Sequence, residues 1–299
     1  MRCLWLFLGV TVLAGPVTAT VTVGAWTPLF QGVERATGEA DQAEARLQKV
    51  SAVRVDLRDP DIEFFSTPSN GERPLETTSE STSEFLVRHG LQVAINANFF
   101  TPCCAPGEKD LAGLAISRGE TVSPQVPSHS GSTVLLITKD NRASIVSTEK
   151  AITTDGVWTA VAGSGSVLIG GAKPAMVPKD FILTAHPRTA VGVSKDGRYL
   201  IWLTVDGRQE GYSMGATLGE VADWLRRFGA HDGLNLDGGG STAMVMAGAG
   251  GAVVLNHPSG AAKPGAGQNG DGAKGGRQRS NGNNFGVWAK PLGAGGARR

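Results

Sequence analysis

The chain has 299 residues, with 28 Lys+Arg against 27 Asp+Glu, a net charge of +1 and 40% hydrophobic residues. That length supports one large domain with a sizeable core, and the balance excludes a wholly disordered or membrane-embedded chain and any broad field for gripping nucleic acid. Glycine is the outlier, 42 residues without the G-X-Y period of collagen, so it has to serve turns, close backbone approaches or loose segments.

Residues 1–19 read as a secretory signal peptide: Arg2, an apolar run from Leu4 to Leu13, then Val17-Thr18-Ala19 as a small-residue cleavage site. The run is short for a bilayer span and no second apolar stretch follows, so the expectation is a secreted or periplasmic protein with no membrane span after cleavage. Residues 20–48 read as loop plus a short helix. Val50 to Leu57 and Ile62 to Phe65 have strand character. Thr77 to Arg88 reads as a helix, with Ser81 and Glu84 at capping-box spacing and Gly90 beyond the end. Leu91 to Ile95 is a short strand that ends on Asn96-Ala97-Asn98-Phe99-Phe100.

Short strands follow at Leu114–Ile116, Val134–Ile137 and Ser144–Val146, with a turn at Asp140-Asn141. Val157–Ile169 is extended and rich in small residues. Ala190–Val193 and Tyr199–Val205 flank Asp196-Gly197, a strong hairpin signal. Thr217 to Phe228 is the clearest helix, capped by Thr217 with Glu220 and stopped by Gly229; Leu218, Val221, Ala222, Leu225 and Phe228 form one apolar face. Leu234–Leu236 runs into Asp237-Gly238-Gly239-Gly240-Ser241. Strands near 243–247 and 252–255, a Gly-rich mobile loop over 259–283, a closing strand at Phe285–Trp288 and a disordered tail over 293–299 complete the chain. These elements predict an α+β fold over 20–292: one domain with a mixed β-sheet, short strands and two or three helices packed on it.

Cys103 and Cys104, the only cysteines past the leader, are adjacent. An oxidising compartment favours a vicinal disulfide; the alternative is two free or partly buried thiols. Nothing nearby completes a zinc tetrahedron, and the five histidines form no i, i+4 pair, so no metal and no cofactor are expected.

Four segments place polar residues at strand ends: 95–100, 186–192, 204–218 and 234–245. In the last, Asp237 enters three glycines whose amides can form an anion nest, with Ser241 and Thr242 as hydroxyl donors. The competing reading is a tight turn at a sheet edge. Arg188 can clamp a phosphate or carboxylate, or make a surface ion pair. Asp206 opens a polar stretch with Arg208, Gln209 and Ser213. Asn96 and Asn98 either bind sugar hydroxyls and phosphate or cap a turn. Of Phe99 and Phe100, one is expected in the core and one as a stacking platform. No G-x-S-x-G elbow, phosphate-loop lysine or G-x-G-x-x-G is present.

Taken together these segments resemble the phosphodiester glycosidase family. Asn96 to Phe100 stand at that family's N-G-G-F-F, Arg188 to Gly192 at R-T-A-x-G, and Asp206 to Gln209 with Ser213 and Gly215 at D-G-R-Q and S-x-G. Leu236 to Thr242 stand at L-D-G-G-G-S-T, Leu255 to Ser259 at V-N-x-P-S, and Arg279 with Asn281 or Asn283 at a late R-x-x-N. Ala97 and Asn98 replace the two glycines of the first motif.

The resemblance implies hydrolysis of the bond between a sugar anomeric carbon and a phosphodiester oxygen, in exopolysaccharide-like material. An oxocarbenium-like transition state calls for a carboxylate near C1, with Asp237 the first candidate and Asp206 the second. Arg188, the Gly238–Gly240 amides, Ser241 and Thr242 would neutralise the leaving phosphate. Asn96, Asn98, Thr189, Arg208, Gln209 and Ser213 would hold substrate hydroxyls or the second phosphate oxygen. A non-catalytic saccharide- or phosphate-binding protein and a phosphodiesterase that cuts P–O are the alternatives; two carboxylates in an anion site favour catalysis.

Overall fold

The computed structural model describes residues 20–41, 46–125, 129–175, 180–259 and 277–293. The leader expected at 1–19, most of the expected Gly-rich loop (260–276) and the expected tail from 294 lie outside the described residues.

Strands dominate, and the expected α+β domain with a mixed sheet is corrected: the fold is mostly β. Among the described residues every strand pairing is antiparallel. The largest sheet runs Val21–Val23, Val33–Ala40, Gln48–Asp56, Tyr199–Val205, Arg188–Ser194, Ala230–Asn235 and Gly165–Leu168, with Thr27–Phe30 added on Val33–Ala40. A second sheet runs Glu120–Ser123, Ala115–Ser117, Val157–Gly163, Thr133–Thr138 and Ala143–Ser147. The third runs Gly251–Val254, Met244–Gly248, Val93–Asn96, Asn284–Trp288 and Glu63–Ser66, and a small fourth joins Thr77–Thr78, Glu108–Leu111 and Phe100–Thr101.

The correction originates between residues 20 and 40. Val33–Ala40 alternates inward and outward, but the inward positions near its end are Ala36, Gly38 and Ala40. Such small residues give almost no hydrophobic period. They are small for a reason: a Cβ on Gly38 would lie 2.6 Å from the Trp224 ring. Trp224 belongs to the helix Leu218–Arg227, which covers this face of the large sheet with Val221, Ala222 and Leu225. The Trp224 indole donates to Gln48 Oε1 at 2.7 Å, so its one polar atom is satisfied in the core.

Both longer helices begin at their expected caps. Thr217 with Glu220, and Ser81 with Glu84, form complete capping boxes, and Gly90 closes the helix Thr82–His89 at φ 62°. Thr77 and Thr78, expected in that helix, form a strand instead, because the cap at Ser81 sets the start at Thr82, five residues later. The Asp196-Gly197 and Asp140-Asn141 turns each join the strand pair expected around them. The opposite face of the large sheet meets the third sheet over Phe64, Trp202 and Phe285, whose rings lie 4.9–6.3 Å apart.

That sandwich brings several strand ends together. Arg188 pairs with Val205, and Ala190 with Asn235, so the chain enters or leaves at 188, 206 and 236 on one end of the large sheet. The end of Val93–Asn96 is tied to the same place, since Asp237 N–H donates to Ala97 O at 2.9 Å.

Candidate functional site

The centre is the turn after Ala230–Asn235. Gly239 adopts φ 61°, donates to Pro187 O at 2.8 Å, and together with Gly240 and Ser241 makes a single 3-10 turn. A Cβ at Gly238 would stand 2.7 Å from that same carbonyl, so the strand pair can approach only glycine here.

Two guanidinium groups lie on consecutive glycines of this turn. Arg208 Nη2 is 3.0 Å from where a Gly239 Cβ would be, and Arg279 Nη2 packs against the Gly240 position. Arg279 Nη1 also donates to Ser241 Oγ at 3.3 Å. Arg208 itself holds φ 61° and is exposed, with Nη2 3.5 Å from His186 Nδ1. Among the described residues, neither arginine has a carboxylate within ion-pair distance. Two unpaired cations against a glycine turn form an anion-binding arrangement.

Asp237 is the carboxyl of this turn. Its Oδ1 accepts from Gly238 N–H at 2.8 Å. Burial raises its pKa to about 6, opposed by Ser241, the Gly238 amide and the charge of Arg279. The residue is half-buried, so a shifted proton affinity sits at the edge of solvent, where a ligand can reach it. His186, on the rim, has its pKa lowered by burial and by Arg188 and Arg208.

Several residues expected to touch substrate instead face inward. Asn96 Nδ2 donates to Asp237 O at 2.7 Å, while its Oδ1 accepts from Thr189 Oγ1 at 2.7 Å and Ala243 N–H at 3.1 Å. Asn96 and Thr189 are completely buried. They rivet the two sheets together directly under Asp237. Asn98 donates to the carbonyls around Gly113 and accepts from Ala162 N–H and Asn283 Nδ2. Ser213 Oγ donates to Asp206 O at 2.6 Å and accepts from Lys49 N–H at 3.0 Å. These four are positioning residues, because their polar atoms are consumed by backbone and by one another.

Arg188 is also corrected. The residue is 1% exposed, and its guanidinium donates to the carbonyls of Ala216, Phe181 and Thr184 and lies 4.5 Å over the Phe181 ring. Burial, with Arg208 nearby, lowers its pKa to about 10, and it stays charged at neutral pH. It fixes the segment that carries Phe181, whose ring meets Phe99 at 6.4 Å edge to face. Phe99 is thus the rim aromatic of its pair, while Phe100 packs with Leu111, Ala115 and Val122.

Asp206, the second candidate carboxylate, is buried at 3% exposure. Its Oδ1 accepts from Asn256 Nδ2 and His257 N–H at 2.9 Å each, and its Oδ2 from Tyr212 Oη at 3.3 Å. Burial raises its pKa in spite of these donors. It offers no free edge to a ligand; it holds the loop that presents Arg208. Gln209 serves the same loop, donating to His257 O at 2.8 Å. Thr242 Oγ1 and Asn281 Oδ1 are buried without a protein partner.

Cys103 and Cys104 are joined to each other at the mouth. Among the described residues no cluster of three metal-ligating side chains occurs. Sequence reasoning matched Arg279 to a motif without giving it a role, and missed His186 and Phe181. For Arg279 the spacing to Asn281 was the available signal; Phe181 had none.

Residues 89–272 match the Phosphodiester glycosidase family. The zebrafish N-acetylglucosamine-1-phosphodiester alpha-N-acetylglucosaminidase catalytic domain, auto-inhibited by its pro-peptide, superposes at TM-score 0.62 with 19% identity, covering 92% of this chain and 90% of that one. A hypothetical protein from Synechocystis gives TM-score 0.54 and 17% identity over 87% of this chain and 62% of that one. A protein from Burkholderia pseudomallei K96243 gives 0.62 and 13% over 94% and 98%. No curated protein matches the sequence. The family match spans more than half of the chain and contains the glycine turn, Asp237, Arg208 and the two asparagines, so the chain belongs to the phosphodiester glycosidase family, glycosidases that act on phosphodiesters.

Proposed function

We propose that the protein hydrolyses the C–O bond between the anomeric carbon of a sugar and a phosphodiester, releasing free sugar and a phosphate monoester. The observation that carries this reading is the pair of unpaired guanidinium groups, Arg208 and Arg279, on consecutive glycines beside one partly exposed carboxyl. A phosphodiester monoanion fits between two cations, and its departure as a phosphate monoester is favoured by the same charges. Asp237, ionised above about pH 6, supplies negative charge for the oxocarbenium-like sugar, either as nucleophile or as the base for water. Phe99 and Phe181 present aromatic edges and faces on which an apolar sugar face can rest.

The test is hydrolysis of a sugar-1-phosphodiester panel in ¹⁸O water, with mass spectrometry of both products. Label in the sugar is expected. Label in the phosphate overturns C–O cleavage in favour of P–O cleavage, and binding without turnover across the panel makes the protein a saccharide-phosphate binder.

We further propose export, on the leader pattern of residues 1–19. The expected mature N-terminus is Thr20, read by mass spectrometry of the secreted or periplasmic fraction; an intact Met1 there or retention in the cytoplasm overturns it.

A further inference from the structure

The loop between Phe100–Thr101 and Glu108–Leu111 is exposed throughout 101–107, yet it carries the one cysteine pair among the described residues. No core packing calls for it there. Among the hydrogen bonds of residues 102–106, the contact to the rest of the protein is Cys103 Sγ with Arg279 Nη1 at 3.9 Å. The same nitrogen donates to Ser241 Oγ at 3.3 Å, and Nη2 of the same group packs on Gly240. Disulfide, guanidinium and glycine turn are therefore one line of contacts that ends beside Asp237.

Arg279 needs such a wall. It has no carboxylate partner within ion-pair distance among the described residues, and a long unpaired side chain retains many rotamers. Gly240 bounds it at Nη2, and Ser241 Oγ and the sulfur bound it together at Nη1. An adjacent-cysteine ring also has fewer backbone conformers than the open dithiol, so the loop that bears the wall is itself restricted.

We propose that the Cys103–Cys104 disulfide is a positioning element of the anion site: it holds Arg279 on the Gly240–Ser241 turn and thereby sets the affinity for the substrate phosphate. The proposal rests on Arg279 being a phosphate contact, and extends the functional reading to a pair of residues that make no contact with the reacting atoms.

The experiment opens the disulfide in the folded protein with a water-soluble trialkylphosphine. The S–S bond takes two electrons from phosphorus, two thiols form with protons from water, and the water oxygen ends on the phosphine oxide. Alkylation and mass spectrometry confirm two thiols. After removal of the phosphine, affinity for inorganic phosphate is measured by calorimetry, and KM and kcat are measured on a sugar-1-phosphodiester.

Phosphate affinity is expected to fall, and KM to rise, by about tenfold, with a smaller fall in kcat because Arg279 also favours departure of the phosphate. Cys103→Ser/Cys104→Ser reproduces the effect without phosphine, and the melting temperature reports whether the fold persists. In an Arg279→Gln background, opening the disulfide is expected to change neither quantity. Unchanged phosphate affinity in the reduced wild type, an equal loss in the Arg279→Gln background, or no phosphate affinity in the oxidised protein each overturns the proposal. Calorimetry reads the site without turnover, so a protein that binds phosphate in this disulfide-dependent way but cleaves no phosphodiester disproves the reaction and leaves the positioning role standing.

Discussion

Asp237→Asn is expected to lower kcat on a sugar-1-phosphodiester by about 10²–10⁴-fold with the fold intact, because the amide can neither attack nor accept a proton. The wild-type pH profile carries the same information. Burial raises the carboxyl to about 6, so kcat/KM should climb with pH through that value and level off above it. The positive groups that face the carboxyl's turn are Arg279, Arg208 and, when protonated, His186. Unchanged turnover in the variant removes Asp237 from the mechanism.

Stability should move the other way. A carboxyl whose folded pKa lies above its unfolded value binds more protons in the native state between about pH 4 and 6. Its contribution to stability is greatest below that window, falls as pH rises through it, and is unfavourable above. Asp237→Asn removes the ionisation, so the variant should resist urea better than wild type at pH 7.5. The full shift would correspond to ~3 kcal/mol, and partial exposure reduces that to about 1 kcal/mol. A gain in stability with a loss of turnover is the signature of a group kept for chemistry.

Asp206→Ala is expected to give the largest loss of stability, about 3–5 kcal/mol in urea denaturation. The carboxylate accepts from Asn256, the His257 amide and Tyr212, and truncation leaves buried donors with no acceptor. Tyr212, whose pKa burial and Asp206 push up to about 12, stays a neutral donor at any working pH. The loop from Asp206 to Ser213 should loosen, releasing Arg208 and raising KM. Asp206→Asn keeps one acceptor oxygen and should cost less. Full stability combined with loss of turnover would return Asp206 to the catalytic role that its sequence context suggests.

The sequence carries the helices and the main hairpins because each is encoded locally: two capping boxes, a Gly90 stop and an Asp-Gly turn. It carries the location of the site for the same reason, since Asp237 and three glycines are adjacent in the chain. It does not carry which way a polar residue faces. Asn96, Asn98, Thr189 and Ser213 do converge on the site, but their hydrogen bonds run into the interior, and an asparagine at a strand end reads alike in both orientations. Arg188 and Asp206 misled for a related reason: a charged residue beside a motif is expected to serve a ligand, whereas both satisfy backbone and loop groups over 4–51 residues of separation. The strand Val33–Ala40 gives little hydrophobic period because Trp224, almost 190 positions away, keeps its inward Gly38 small.

The strand Asn284–Trp288 is laid between Val93–Asn96 and Glu63–Ser66, and its Phe285 plugs the junction between the two large sheets. A keystone drawn from the end of the chain has a temporal meaning. While the polypeptide is being synthesised, the slot for that strand stays empty and two edges of paired backbone remain open. The nascent chain therefore has no complete interior until residue 288 has left the ribosome, however early its hairpins form. The last step of folding is then dominated by contacts distant in sequence, the kind that form slowly. Through that interval the open strand edges are the chain's exposed, aggregation-prone surface.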